Sequence, residues 1–303
     1  MLKVCLIVDN EADFYYNIPS PYICKSWVRL IKWKLNKLRG ILYRYPWPSR
    51  NGFKNLIKKF KQYNIPATFN TVGHLYLKKC QGWPHYNEEK PTVKWFYNFK
   101  KDWYYWDQEG DYKKFPGKYL GDIIEEEKRN RLFDFGLHAF SHEAYLLETK
   151  EFIEKSLSSG IQACADIGVR PVSYQGPWNM VEEETQPDKL IDCLIKKGIK
   201  IVAYSGKNNL DFQRKEFRIA PLFKKDKLNF VWISNYIEGT SPHSKVKEII
   251  NEISSNLYEN KVYCLAMHDF TWKNMKNLDL ILSRLVQLRK EKKIEIKNMK
   301  QLI

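Results

Sequence analysis

The sequence predicts an α/β fold built on a parallel sheet, and three observations carry that expectation. Strand-length aliphatic runs alternate with stretches of helical periodicity along 303 residues. No internal repeat, low-complexity tract or linker interrupts the alternation, so a single domain over 1–303 accounts for the length. The residues able to carry chemistry cluster just after strand runs, where α/β folds place their sites.

The first strand is expected over 3–8, in Lys3-Val-Cys-Leu-Ile-Val8, and runs straight into Asp9-Asn-Glu-Ala-Asp13. Carboxylates packed at a strand end repel one another and lose solvation. A cation relieves both penalties; so does an open loop that caps the next element. A helix at 52–62 and a strand at 65–72 follow, then a strand at 132–138 from Leu132-Phe-Asp-Phe-Gly-Leu137. That strand delivers Gly136-Leu-His-Ala-Phe-Ser-His142, which places two of the six histidines four residues apart. On a helical turn such residues share a face and can converge on one metal ion, although the spacing also arises by chance. Beyond it, helices are expected at 149–167, 187–198, 244–258 and 274–291. Strands are expected at 171–175, 200–204, 228–234, 261–267 and 293–296.

Tyr63-Asn-Ile-Pro-Ala-Thr-Phe-Asn-Thr-Val-Gly73 resembles the second strand of the polysaccharide deacetylases, the NodB-homology carbohydrate esterases. Beside it, Val8-Asp-Asn-Glu-Ala-Asp-Phe14 is similar to a variant of that family's first motif. His138-Ala-Phe-Ser-His142 matches its metal-binding motif at both histidines, with Ala139 where Ser or Thr is usual. Tyr174-Gln-Gly-Pro-Trp178 and Leu265-Ala-Met-His268 stand where two later motifs belong, so the resemblance runs in family order over nearly the whole chain. It implies a distorted (β/α) barrel of about seven strands, with insertions at about 15–50 and 81–119.

The resemblance also implies a reaction: metal-dependent hydrolysis of the N-acetyl amide of a sugar. The sugar would belong to a cell-surface polysaccharide or to a lipid-linked or nucleotide-linked precursor. Glu11, His138 and His142 would hold Zn²⁺ or another divalent metal, with Asp13 a rival for Glu11. Asp9 would be the general base and His268 the general acid, while Tyr174, Gln175, Gly176, Pro177 and Trp178 would line the substrate. Two departures stand out. Gln175 replaces the arginine that pairs with the base, so Asp9 receives no positive charge from that position; Arg170 is an alternative source. The aspartate that tunes the acid histidine has no clear counterpart, Asp211 and Asp269 being the candidates.

The formal charge of +16 is concentrated: between Phe14 and Asn87 there are 14 Lys and Arg and no Asp or Glu. Within this stretch, 25–42 has helical periodicity, with Trp27, Ile31, Leu35, Leu38 and Leu42 on one stripe and basic residues around it. Such a helix suits an anionic membrane surface, or packs its stripe on the barrel. No nucleic-acid motif accompanies the charge. Residues 81–119 crowd tryptophans and tyrosines beside Asp102, Asp107 and Asp111, a composition that stacks on sugars or packs on itself. Tyr119-Leu-Gly-Asp-Ile-Ile124 resembles a stretch that some of these deacetylases carry before the histidine motif. Six cysteines without CxxC spacing read as thiols in a reducing compartment. The strand at the N-terminus follows no hydrophobic leader, and the expected location is the cytoplasm, with peripheral contact at the membrane. Two other readings compete: a catalytically silent carbohydrate-binding relative, and a membrane-surface scaffold using the basic segment.

Overall fold

The computed structural model describes residues 1–14, 27–28, 31–32, 34–35, 48–86, 88–92, 102–179, 189–205, 219–255, 257, 259–272 and 275–303. In chain order the elements are β1 (Leu2–Asn10), α1 (Pro48–Tyr63), β2 (Ala67–Thr71), β3 (Lys79–Cys80), β4 (Gly110–Asp111) and α2 (Gly121–Glu127). Then come β5 (Phe133–Leu137), α3 (Lys150–Asp166), β6 (Ser173–Gln175), α4 (Lys189–Lys196), β7 (Ile201–Tyr204) and β8 (Phe223–Lys225). The chain ends with β9 (Leu228–Tyr236), α5 (His243–Ser255), β10 (Val262–His268), α6 (Lys276–Lys290) and β11 (Ile294–Lys297).

Strands pair in the order β10-β1-β2-β5-β6-β7-β9, and β9 pairs in turn with β10. Every one of these pairings is parallel, so seven strands close into the expected barrel. The seam between β5 and β6 is the weakest, held through the single register pair Leu137 with Tyr174. β11 pairs with the first half of β1, from Leu2 to Cys5, and leaves the second half, from Ile7 to Asn10, to β2.

Alternation along the strands separates two cores. Cys5 and Ile7 of β1 point inward with Ile201, Ala203, Val231, Ile233, Cys264 and Ala266. Met299 and Leu302, in the turn after β11, close the bottom of this interior. Val4, Leu6 and Val8 point outward into the larger core beneath the helices. Asp9 continues the inward series one step beyond Ile7, which puts it on the top layer of the barrel. In register beside it are His268 on β10 and Asn70 on β2, and Asn70 is in turn level with Gly136 on β5. Gly136 is required there, since a Cβ would collide with the Ser173 hydroxyl and the Asn70 side chain.

Between 81 and 119 the described aromatics mostly join the outer core. Trp103, Tyr104 and Trp106 are buried, and the Trp103 indole donates to the Ser141 hydroxyl at 2.8 Å, inside the histidine motif. Trp83 is the described aromatic of this region that is most exposed, at 40 %. Trp95, Phe96 and Tyr97 lie outside the described residues, as does most of 15–47. Of the basic stripe, Trp27, Ile31 and Leu35 are described; they are helical and at least half exposed.

Candidate metal and active centre

Five side chains from three strand ends meet at the top of the barrel. β1 supplies Asp9 and, one residue past its end, Glu11. The backbone turns sharply there, with Ala12 at φ 48°. Asp269, just after β10, fixes the turn: its carboxylate accepts from the Glu11 and Ala12 N–H groups at 3.1 Å each. Asp13 turns away, its carboxylate lying over Gly117, and so is not part of the cluster.

His138 and His142 come from a turn after β5, not from a helix. Ala139 and His142 both take left-handed backbone, at φ 58° and 65°, which is how residues four apart converge without helical geometry. The His138 Nε2 lies 3.4 Å, and the His142 Nε2 3.2 Å, from one oxygen of Glu11. His138 Nδ1 donates to the Gln175 carbonyl at 2.8 Å, which leaves the Nε2 lone pair facing Glu11. Both histidines are buried, yet His138 Nε2 and both ring nitrogens of His142 make no hydrogen bond. Buried imidazole nitrogens without partners, aimed with a carboxylate at one point, fit a divalent cation. The separations are close to the roughly 3.3 Å between N and O ligands of a tetrahedral Zn²⁺.

His268 faces the same point from the other side. Its Nε2 lies 3.6 Å from Glu11 and 3.8 Å from Asp9. Its Nδ1 is 2.6 Å from Glu238 Oε1, and the other Glu238 oxygen accepts from the Thr271 hydroxyl at 2.7 Å. Glu238 is therefore the acid that tunes the histidine. Asp269 is committed to the Glu11 turn instead, and Asp211 lies outside the described residues. Sequence reasoning missed Glu238 because the strand expected over 228–234 runs on to Tyr236. With the strand so extended, Glu238 falls just past its end, as Glu11 does on β1.

The two carboxylates at the centre are pushed apart electrostatically. Burial raises Asp9 to a pKa of about 6, against the opposing pull of His138 and His268. Burial also acts upward on Glu11, but His142, His138 and His268 outweigh it and hold Glu11 well below the ordinary range. The His268 imidazole is destabilised as a cation by burial, yet Glu238, Glu11 and Asp9 raise it well above its usual value. Gln175 bonds Asp9 through its amide at 2.6 Å and supplies no charge; Arg170 is exposed and takes no part. That neutral partner adds no positive charge to oppose burial at Asp9.

Of the expected substrate residues, Gln175 reaches the centre, bonding both Asp9 and the Tyr236 hydroxyl. Trp178, at φ 53°, sets its ring edge-on to His142 with centroids 4.6 Å apart. Gly176 and Pro177 are buried beside them. Tyr174 faces the opposite way, fully buried in the outer core and stacked on Tyr145.

No family model matches the sequence, and no curated protein matches it. Solved structures do match. A candidate polysaccharide deacetylase from Mycobacterium smegmatis aligns with a TM-score of 0.59 at 14% identity, over 99% of this chain and 88% of that chain. The allantoinase PuuE aligns with a TM-score of 0.57 at 10% identity, over 99% of this chain and 88% of that one. At such identities the likeness is one of fold. The barrel implied by the motifs is the barrel observed, and it is shared with these hydrolases.

Proposed function

We propose that this chain is a metal-dependent deacetylase that hydrolyses the N-acetyl amide of a sugar in a cell-surface polysaccharide or its precursor. The observation that carries the reading is the convergence of Glu11, His138 and His142, with their unsatisfied imidazole nitrogens, between Asp9 and His268. These three residues would hold the metal, and Zn²⁺ suits a donor set of two imidazoles and one carboxylate with a position left open. When bound, such an ion acidifies a water and polarises an acyl oxygen.

The chain's own residues supply the proton traffic. Asp9, with its pKa raised to about 6, is a base near neutral pH and takes a proton from the attacking water. His268, held protonated by Glu238, gives a proton to the departing amine. Glu11, whose acidity is pushed the other way, stays ionised as a ligand. Two neighbouring carboxylates separated in pKa by their surroundings mark a division of roles. Trp178, packed on His142, offers an indole beside the centre for the sugar ring.

A location in the cytoplasm rests on the cysteines, five of which are described and free. None of the described helices is long and apolar enough to cross a membrane. The exposure of Trp27, Ile31 and Leu35 on a basic segment favours peripheral contact with an anionic bilayer or a lipid-linked substrate. The test of the reaction is acetate release from a panel of N-acetylated glycans, with allantoin as a non-sugar comparator, before and after chelation. Chelator-sensitive acetate release supports the reading. Turnover of allantoin alone would overturn the sugar assignment, and turnover unaffected by chelation would overturn the metal.

A further inference from the structure

A second cluster of metal-ligand type lies away from the proposed catalytic centre, where the insertion over 81–119 meets the barrel. His74 follows β2, Cys80 ends β3, His85 is in the loop beyond, and Asp107 comes from the aromatic segment. One ligand atom from each lies within 4.8 Å of every other. The individual separations are 3.3 Å from His74 Nε2 to Asp107, 3.1 Å from His85 Nε2 to Asp107, 3.3 Å from Cys80 Sγ to Asp107 and 3.8 Å from Cys80 Sγ to His74 Nε2. Ligands of a tetrahedral Zn²⁺ lie roughly 3.3–3.6 Å apart, given bonds of about 2.0–2.1 Å to N or O and about 2.3 Å to S.

The surrounding bonds orient all four donors toward one point. His74 Nδ1 donates to the Lys118 carbonyl at 3.1 Å, and His85 Nδ1 donates to Glu88 at 2.6 Å, so each Nε2 presents its lone pair inward. A carboxylate or carbonyl behind the imidazole is the usual support of a metal-bound histidine. The Tyr119 hydroxyl at 2.9 Å and the Gly82 N–H at 3.4 Å stand by the Cys80 sulfur, donors suited to a thiolate. His85 Nε2 and Asp107 Oδ2 are buried and make no hydrogen bond, although they face each other. Asp107 and Cys80 share the Nε2 side of His74, and Asp107 also faces the Nε2 of His85, so the donors converge on one point.

We infer that His74, Cys80, His85 and Asp107 form a structural zinc site that fastens the aromatic insertion to the barrel. With a thiolate and a carboxylate as the anionic ligands, the ion's two charges are neutralised, which suits a site walled by Trp106 and Phe140. Four protein ligands leave no open position, so the site is closed and takes no part in hydrolysis. Its link to the catalytic centre is mechanical: the His74 N–H bonds the Phe140 carbonyl at 2.8 Å, midway between His138 and His142.

The test uses the full chain with Zn²⁺ and Co²⁺ as probes. In the His138→Ala/His142→Ala variant, about one zinc per chain should remain, and adding Cys80→Ser/His85→Gln should remove it. Because those changes could unfold the insertion, Co²⁺ is also exchanged into the protein with the native His74, Cys80, His85 and Asp107. A thiolate-to-cobalt charge-transfer band should appear, and Cys80→Ser should abolish it. No zinc remaining in the His138/His142 variant, together with cobalt spectra lacking any thiolate band, would overturn the site.

Discussion

Replacing Glu238 by Gln isolates the electrostatic part of the proposed acid. The amide keeps the shape and can still accept from His268 Nδ1, so the imidazole stays in place while its counter-charge disappears. Two unit charges about 4 Å apart interact by roughly 4 kcal/mol at an effective dielectric of 20. Both side chains are about a quarter exposed, at 26 % and 24 %, so solvent screening reduces this to about 2 kcal/mol. That loss lowers the His268 pKa, so kcat/KM falls by at most about 30-fold, at pH above the wild-type limb. The sign in pH follows from the raised His268 pKa. The acid form exists below that pKa, and removing Glu238 lowers it, so the alkaline limb of the profile moves to lower pH. Steady-state acetate release across pH, in wild type, Glu238→Gln, His268→Ala and the double variant, reads both effects. His268→Ala alone should cost about two to four orders of magnitude, with Glu238→Gln adding little to it. An unmoved alkaline limb, or full additivity in the double variant, would refute the coupling.

Asp9→Asn should keep the metal and lose roughly two to four orders of magnitude in rate, whereas Glu11→Gln should lower metal affinity and recover partly with excess metal; titrated metal binding and activity read the pair, and the opposite pattern exchanges their roles. Glu143 is fully buried, and burial raises its carboxyl to about 7 from an ordinary 4.5, so the folded state holds the extra proton and loses stability as pH rises across that window. Glu143→Gln should therefore be more stable than wild type by roughly 2–4 kcal/mol at pH 8 and show little of that gain near pH 4.5, as urea denaturation would reveal. Changing Trp27, Ile31 and Leu35 to Asn should abolish pelleting with anionic liposomes and leave turnover of a soluble glycan unaltered; unchanged pelleting would exclude this stripe as the membrane contact.

Much of the fold was legible because β1 and β10 are largely aliphatic runs that end in residues of different chemistry. The expected strand over 3–8 and its acids became β1 with Asp9 and Glu11 at its end, and register then brought His268 level with Asp9. The histidine pair was visible by spacing, but its geometry was not: left-handed backbone at Ala139 and His142 does what a helical turn was expected to do. The side chain of Tyr174, assigned to the substrate from the resemblance, lies in the outer core, and a three-residue strand offers no alternation that would have told inside from outside. Glu238 and the His74–Cys80–His85–Asp107 cluster escaped for another reason. Glu238 lies past a strand expected to end at 234, and Asp107 stands 22 residues beyond His85, so no local spacing signals either meeting.

The most direct test of the central claim is metal content and acetate release measured together in wild type and in His138→Ala/His142→Ala. The proposed centre predicts that the variant, folded by circular dichroism, loses one metal ion per chain and its chelator-sensitive activity together. Unchanged metal content or unchanged acetate release in that variant would contradict it.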